Sequence, residues 1–150
     1  NISSQILFKI YENRTIIDEM VGMFQKEVAE RVCSGPGSKK YGILSVLIQA
    51  FYNIEYLFTV NEEVFNPPPK VKSGVIKITR NNIIALDCDE KLFFRIVKAI
   101  FNQRRKMARN SLKPILGDKK IDHILLTKRP EELSIENFIE ITKMIESKIN

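Results

Sequence analysis

Apolar positions recur along this chain with two periods, and each change of period marks an element. Within Tyr41–Tyr52, residues Leu44, Leu47, Ile48 and Phe51 repeat at about 3.6 residues, so the spacing predicts a helix. A sharper stripe of Leu92, Phe93, Ile96, Val97, Ile100 and Phe101 predicts a strongly amphipathic helix from Asp89 to about Phe101. Ile6, Leu7 and Ile10 form the inner face of an opening helix, capped by Ser3 or Ser4 and broken at Asn13-Arg14. Val28, Ala29 and Val32 point a short helix over Lys26–Cys33 inward. Phe138, Ile141 and Ile145 do the same for a last helix with Ser134 as its N-cap.

The other segments read as strands. Glu19–Gln25 is a nearly continuous apolar run, which predicts a strand buried on both faces of a parallel sheet. Ile54–Val60 is rich in aromatic and branched residues, and Gly74–Thr79 alternates. Joined by a stiff loop, these two should lie antiparallel. Asn81–Cys88 reads as a junction. A further helix is expected over Gln103–Lys113, stopped at Lys113-Pro114 because the residue before proline resists the α region. Gly117-Asp118 reads as a turn and Lys119–Leu126 as a short helix. The fold class is therefore α/β, a sheet-bearing part over residues 1–83 followed by a small all-helical part over 84–150.

The 150 residues suit one ordinary domain or a small one with an appendage, and 44% hydrophobic content is enough for a packed core. No apolar run approaches the ~20 residues of a membrane span, and no signal peptide is legible at the N-terminus. The expected location is cytoplasmic. Cys33 and Cys88 show no metal or pairing pattern and read as reduced thiols. With His123 as the single histidine, no metal site is expected.

Charge changes the picture. Between Lys91 and Arg129 stand twelve Lys or Arg against Asp118 and Asp122, a net +10 in a chain of net +6, so the remainder carries −4. One sign concentrated this heavily favours a polyanionic partner, and no wide apolar face beside it suits a membrane. Gln103-Arg104-Arg105-Lys106-Met107-Ala108-Arg109 supplies four of these cations in seven residues. On the expected helix Arg105, Lys106 and Arg109 share a face, whereas Arg104 points elsewhere. Lys26 and Arg31 follow the expected buried strand, and Lys39-Lys40-Tyr41 follow a glycine loop. All four cations are weaker candidates, because Lys26–Glu30 and Glu27–Arg31 also suit ordinary i,i+4 pairs. Finally, Phe65-Asn66-Pro67-Pro68-Pro69-Lys70-Val71 tethers a ring to a proline-stiffened segment, where it can stack on a planar ligand.

Several blocks share one order and spacing. They are Gln25-Lys26-Glu27-Val28-Ala29-Glu30-Arg31, Pro36-Gly37-Ser38, Tyr41-Gly42-Ile43-Leu44-Ser45-Val46, Phe65 to Val71, Phe101-Asn102-Gln103-Arg104-Arg105-Lys106 and Arg109-Asn110-Ser111-Leu112. In that arrangement the chain resembles the ribosomal RNA adenine N6-dimethyltransferases of the small subunit, the kasugamycin-resistance family, over nearly its whole length. The resemblance implies the C-terminal part of a Rossmann-like S-adenosylmethionine-dependent methyltransferase sheet over 1–83, followed by a helical RNA-binding domain over 84–150. The activity it implies moves methyl groups from S-adenosylmethionine to N6 of two adjacent adenosines of small-subunit ribosomal RNA during ribosome biogenesis. The partner is that RNA or the immature small subunit. Phe65 is implied to stack on the target base. Arg104, Arg105, Lys106, Arg109, Lys26, Arg31, Lys39 and Lys40 are implied to grip the RNA backbone.

The chain departs from the family where the cofactor would sit. A glycine-rich turn after a first strand, and an acid for the ribose, have no counterpart. Gly35-Pro36-Gly37 follows a helix instead. The family's Asn-Pro-Tyr-type motif is expected just before Asn1, with Asn1 itself outside it. The chain is thus expected to be the C-terminal part of a longer protein, inactive alone, with an open strand edge that dimerises or receives the rest. The alternative is a non-catalytic RNA-binding or ribosome-assembly module using the same basic residues.

Overall fold

The computed structural model of the chain describes residues 2–150, and Asn1 lies outside the described residues. Helix α1 (Ile2–Glu12) leads into strand β1 (Glu19–Gln25), then α2 (Lys26–Cys33), α3 (Ile43–Gln49), β2 (Tyr52–Val60) and β3 (Ser73–Arg80). Helix α4 (Glu90–Phe101), two single turns α5 (Ala108–Ser111) and α6 (Lys113–Leu116), and α7 (Ile135–Ile149) complete the chain. Short 3-10 turns occupy Glu62–Val64, Ile124–Thr127 and Pro130–Glu132.

The strands lie in the order β1-β3-β2, and both pairings are antiparallel. Met23 stands opposite Val75, and Ile54 opposite Ile78. The β2–β3 pairing is as expected, with a register shift at Leu57. For β1 the boundaries hold and the environment does not. It pairs antiparallel, and its burial alternates, with Phe24 inside and Val21 and Met23 half open to solvent. An unbroken apolar run cannot distinguish a strand covered on both faces from an edge strand, because periodicity does not report the neighbours. Among the described residues nothing pairs with the second edge of β1.

Four helical expectations are also corrected. Ser3 and Ser4 lie inside α1 and do not cap it, and Ile6 is exposed. The inner face is Leu7, Ile10 and Tyr11, because Tyr11 packs on Phe51 with ring centroids 5.9 Å apart. Tyr41 and Tyr52 flank α3 instead of belonging to it. Each buries its ring and donates its hydroxyl, Tyr41 to the Leu133 carbonyl at 2.7 Å and Tyr52 to the Ile17 carbonyl at 2.7 Å. The helix expected over Gln103–Lys113 is a turn through Lys106 followed by α5 and α6. Pro114 falls in the first turn of α6, where its missing N–H costs nothing, so it starts a helix and does not end one. Lys119–Leu126 is likewise not a regular helix. A 3-10 turn begins at Ile124, capped by His123, whose Nδ1 accepts from the Leu125 N–H at 3.1 Å.

All six residues of the Leu92–Phe101 stripe are buried, and Asp89 caps α4 by accepting from the Lys91 and Leu92 amides at 3.0 and 3.1 Å. Ser134 caps α7, accepting from the Asn137 amide at 3.1 Å. The core is continuous across the 83/84 boundary, with Phe51, Tyr52 and Ile76 on one side and Phe93, Ile96 and Phe138 on the other. Cys33 and Cys88 are free, half-buried thiols, each pushed by burial up to about 11. Among the described residues no helix is long and apolar enough to cross a membrane, and no acid, histidine and cysteine cluster could hold a metal.

Candidate nucleic-acid interface

The end of α2 is fixed before any cation is placed. Gln49 of α3 donates to the carbonyls of Val32 and Ser34, both at 2.8 Å. The Ser45 hydroxyl bonds the Arg31 carbonyl and accepts from the Gly42 amide at 3.0 Å. These bonds satisfy carbonyls that a helix end leaves without partners, and they hold Arg31 in register with the Gly42 turn.

Arg104 arrives from the other part of the chain, on the turn after α4. Its guanidinium donates to the Tyr41 carbonyl and lies 5.3 Å from the Phe101 ring centroid. Beneath it Phe101 meets Tyr41 edge-on at 5.6 Å and stacks on Phe138 at 5.5 Å, so the arginine rests on a rigid aromatic base. Gly42 leaves room for the approach, since a Cβ there would stand 3.2 Å from Arg104 Nη2 and the guanidinium would have to shift by a few tenths of an ångström.

The result is a cleft of about 400 Å³ rimmed by Arg31, Lys39 and Arg104 over Phe8, Ile43 and Phe101. Arg31 shares part of its charge with Glu27 at 3.1 Å, while Lys39 and Arg104 have no carboxylate within ion-pair distance among the described residues. Arg104 commits one nitrogen to the protein and keeps the rest of its fork. Three cations around a shallow mouth suit a phosphate, which arginine can take bidentately.

The expected grouping of Arg105, Lys106 and Arg109 on one helical face is therefore overturned, because residues 103–106 form a turn. Arg105 and Lys106 are exposed on that turn, and Arg109 sits on α5 against the Met107 sulfur at 3.7 Å. Arg104, expected to point away, is the residue that joins the helical part to Arg31 and Lys39. Lys26 and Lys40 line a separate cleft of about 570 Å³ with Glu30, Cys33, Tyr56 and Thr59. There Lys40 pairs with Glu30 at 2.8 Å and holds that carboxyl below the usual carboxylate range. The Glu27–Arg31 pair forms as the spacing suggested, whereas Glu30 takes Lys40 in place of Lys26.

Phe65 is half-buried, against Met23, Phe24, Pro67 and Pro69 in an open cleft of about 330 Å³ that Ser3 also lines. The Asn66–Pro67 peptide bond is cis. The two clefts flank α1, Ser3 touching one and Phe8 the other, about 7.5 Å apart along the helix axis. Sequence reasoning missed Gly42 and Tyr41 as supports of the cationic cleft. A glycine beside a tyrosine, ahead of a helical run, was the one local sign of a close approach.

An open-edged three-stranded sheet packed with helices, beside converging cations and a proline-tethered ring, defines an α/β chain. The fold agrees with two solved structures. One is a dimethyladenosine transferase from Plasmodium falciparum, with TM-score 0.80 and 22% identity over 98% of this chain and 64% of that one. The other is the 23S rRNA methyltransferase ErmE, with TM-score 0.61 and 18% identity over 95% of this chain and 62% of that one. The ribosomal RNA adenine dimethylase family matches residues 1–147, and the chain belongs to that family. Among its relatives is the ribosomal RNA small subunit methyltransferase A of Bacteroides thetaiotaomicron, 64% identical over 148 residues, covering 97% of this chain and 55% of that protein. The Flavobacterium johnsoniae protein of the same name is 62% identical over 148 residues, covering 98% and 57%. The chain thus spans about half the length of the curated relatives it matches.

Proposed function

We propose that this chain forms the RNA-gripping part of an S-adenosylmethionine-dependent enzyme that dimethylates N6 of two adjacent adenosines in small-subunit ribosomal RNA. The observation that carries the reading is the meeting of Arg31, Lys39 and Arg104 from three segments on one cleft. They would hold a phosphate of the RNA, with Arg105 and Lys106 beside them contributing unpaired charge, and Arg109, Lys26 and Lys40 at greater remove. Such contacts position the RNA without reading its sequence. Residues 84–150 form the helical RNA-binding part and residues 1–83 part of the catalytic one, with Arg31 and Lys39 of the latter completing the grip.

An adenine to be methylated at its exocyclic amine must leave its stack, and its lone pair is otherwise delocalised into the ring. Phe65 would replace the lost stacking neighbour. S-adenosylmethionine supplies the methyl group when bound. The glycines present do not build a cradle for it: Gly22 is wedged between Met20 and Phe24, Gly74 faces Ala29 and Tyr56, and Gly35 and Gly37 face open space. We infer that its site lies outside these residues, in a segment seated against the open edge of β1. The isolated chain is then expected to bind RNA without methylating it, in the cytoplasm where immature subunits are assembled.

The test uses a full-length protein containing this chain and small subunits whose target adenosines are unmodified. Phe65→Leu should slow methyl transfer about tenfold while leaving RNA affinity unchanged, as expected for the loss of one stacking contact. Reversing Arg31 and Arg104 to Glu should weaken binding and flatten its salt dependence. Full methyl transfer by Phe65→Leu would remove the ring from the site. Unchanged low-salt binding by the double reversal would remove the cleft.

A further inference from the structure

A cleft of about 460 Å³ opens between α5–α6 and the loop that follows them, separate from the Arg31–Lys39–Arg104 cleft and sharing with the residues assigned above only Arg109. Its apolar lining is Leu116, Ile121 and Leu126, of which Leu116 and Leu126 are buried. Lys113 and Lys120 stand at its rim with no carboxylate within ion-pair distance among the described residues. Asn110 also lines it, half-buried, and its side-chain amide makes no hydrogen bond within the described residues, although an amide offers two donors and an acceptor. The loop wall is preformed. Gly117 turns it at φ +64°, a conformation that L side chains rarely adopt, and Lys119 ties it to α7 by donating to the Lys148 carbonyl at 2.9 Å.

Neither half of this lining suffices for a simple ligand. A phosphate alone needs no aliphatic floor, and an apolar chain needs no pair of free ammonium groups. A nucleotide carries both a flat apolar face and a phosphate. An asparagine amide also matches the donor–acceptor edge of adenine bidentately. The volume lies within the roughly 300–1,000 Å³ range of small-molecule pockets. We propose that this cleft takes one unpaired nucleotide of the bound RNA. Its base packs on Leu116, Ile121 and Leu126, its edge meets Asn110, and its phosphates meet Lys113 and Lys120. Asp118 and Asp122, also on the lining, accept from an exocyclic amine or a ribose hydroxyl. The inference rests on the RNA-binding reading above and extends it to a second site with base preference.

The experiment compares binding of this chain to three RNA hairpins: one with a single bulged adenosine, one with an abasic residue at the bulge, and one fully paired. The bulged adenosine should bind about tenfold tighter than the abasic form, the size expected of one well-packed base. It should also shift the Asn110 side-chain amide resonance. Asn110→Leu, and Ile121→Trp to fill the cleft, should each abolish the difference while leaving abasic affinity unchanged. The resonance shift in the unmodified chain serves if either variant fails to fold. Equal binding of bulged and abasic hairpins, with abasic binding intact, overturns the cleft proposal alone. So does a shift produced by adenosine monophosphate without any preference among hairpins, which would mark a free-nucleotide site. Loss of binding to every hairpin would overturn the RNA-binding reading together with it.

Discussion

Arg104 donates to the backbone carbonyl of Tyr41, and the hydroxyl of that same Tyr41 donates to the Leu133 carbonyl at 2.7 Å. One tyrosine thus links the turn after α4, the segment before α3 and the approach to α7. The cationic cleft inherits its rigidity from this junction, because Arg104 is the cation that spans the two parts of the chain.

Tyr41→Phe should therefore destabilise the chain by about 1–2 kcal/mol, since it leaves the Leu133 carbonyl without its donor in the core. Arg104→Lys should keep the charge and lose both the guanidinium contact with the Phe101 ring and the fork geometry, so RNA binding falls with little change in stability. Chemical denaturation and RNA titration of the two variants separate the effects. Equal loss of stability in both would mean that Arg104 is chiefly a structural prop.

Arg14 forms a second tie. Its guanidinium lies 4.7 Å from the ring centroids of Tyr11 and of Phe51, and it pairs with Glu90, whose other oxygen accepts from the Leu86 amide at 3.0 Å. The two side chains are 20% and 23% exposed, between the surface and buried regimes. Glu90→Ala should cost about 2–3 kcal/mol, because it strands a partly desolvated guanidinium, and Arg14→Met in the same background should recover part of the loss. A double-mutant cycle by denaturant unfolding measures this. A coupling near zero would show that cation–π packing and the hydrogen bond to the Tyr11 carbonyl hold Arg14 without Glu90.

Neither tie was visible in the sequence, and the reason is distance along the chain. Arg14 and Glu90 are 76 residues apart, and Tyr41 and Leu133 are 92 apart. Periodicity reads only neighbours. It recovered the β1, α2 and α4 boundaries and every buried residue of the Leu92–Phe101 stripe, because burial there is one-sided and regular. It failed at residues 103–113, where helix-favouring cations gave no sign of a turn and Pro114 read as a stop. The composition of the cationic site was thus legible, but its grouping was not. Which arginine faces Arg31 depends on how the α4–α5 turn leaves the helix, and that is set by packing on Phe101.

Alkaline conditions should weaken the fold. Burial pushes Tyr11 up to about 12 and both Cys33 and Cys88 up to about 11, and it raises Tyr41 and Tyr52 as well. All five stay protonated in the folded chain over a range where their unfolded counterparts ionise. Between about pH 9 and pH 12 the folded state therefore binds more protons than the unfolded state, and stability declines as pH rises. Melting temperature should be level from pH 7 to 8.5 and fall by roughly 5–10 °C by pH 10.5, for a loss on the order of 2–3 kcal/mol. Replacing both cysteines with alanine should move the onset of the decline upward, toward the tyrosine range. A flat profile to pH 10.5 would contradict the protonated core.

The outer edge of β1 makes the chain's association predictable. Among the described residues its backbone pairs on one side only, to β3, and its outward side chains Val21 and Met23 are 57% and 50% exposed. An unpaired edge beside apolar side chains is a template for another strand, and it lacks the inward charges or prolines that usually blunt such edges. Lys77, opposite Val21 on β3, is engaged by Glu19 at the strand's start at 3.3 Å. The 150-residue chain should therefore self-associate at micromolar concentration. Val21→Lys with Met23→Lys should return it to a monomer by placing two ammonium groups along the edge. Sedimentation velocity over a concentration series distinguishes the two forms. If the unmodified chain stays monomeric at the highest concentration, the edge is closed by contacts other than those of the described sheet. The edge would then not serve as the proposed seat of a cofactor-bearing segment.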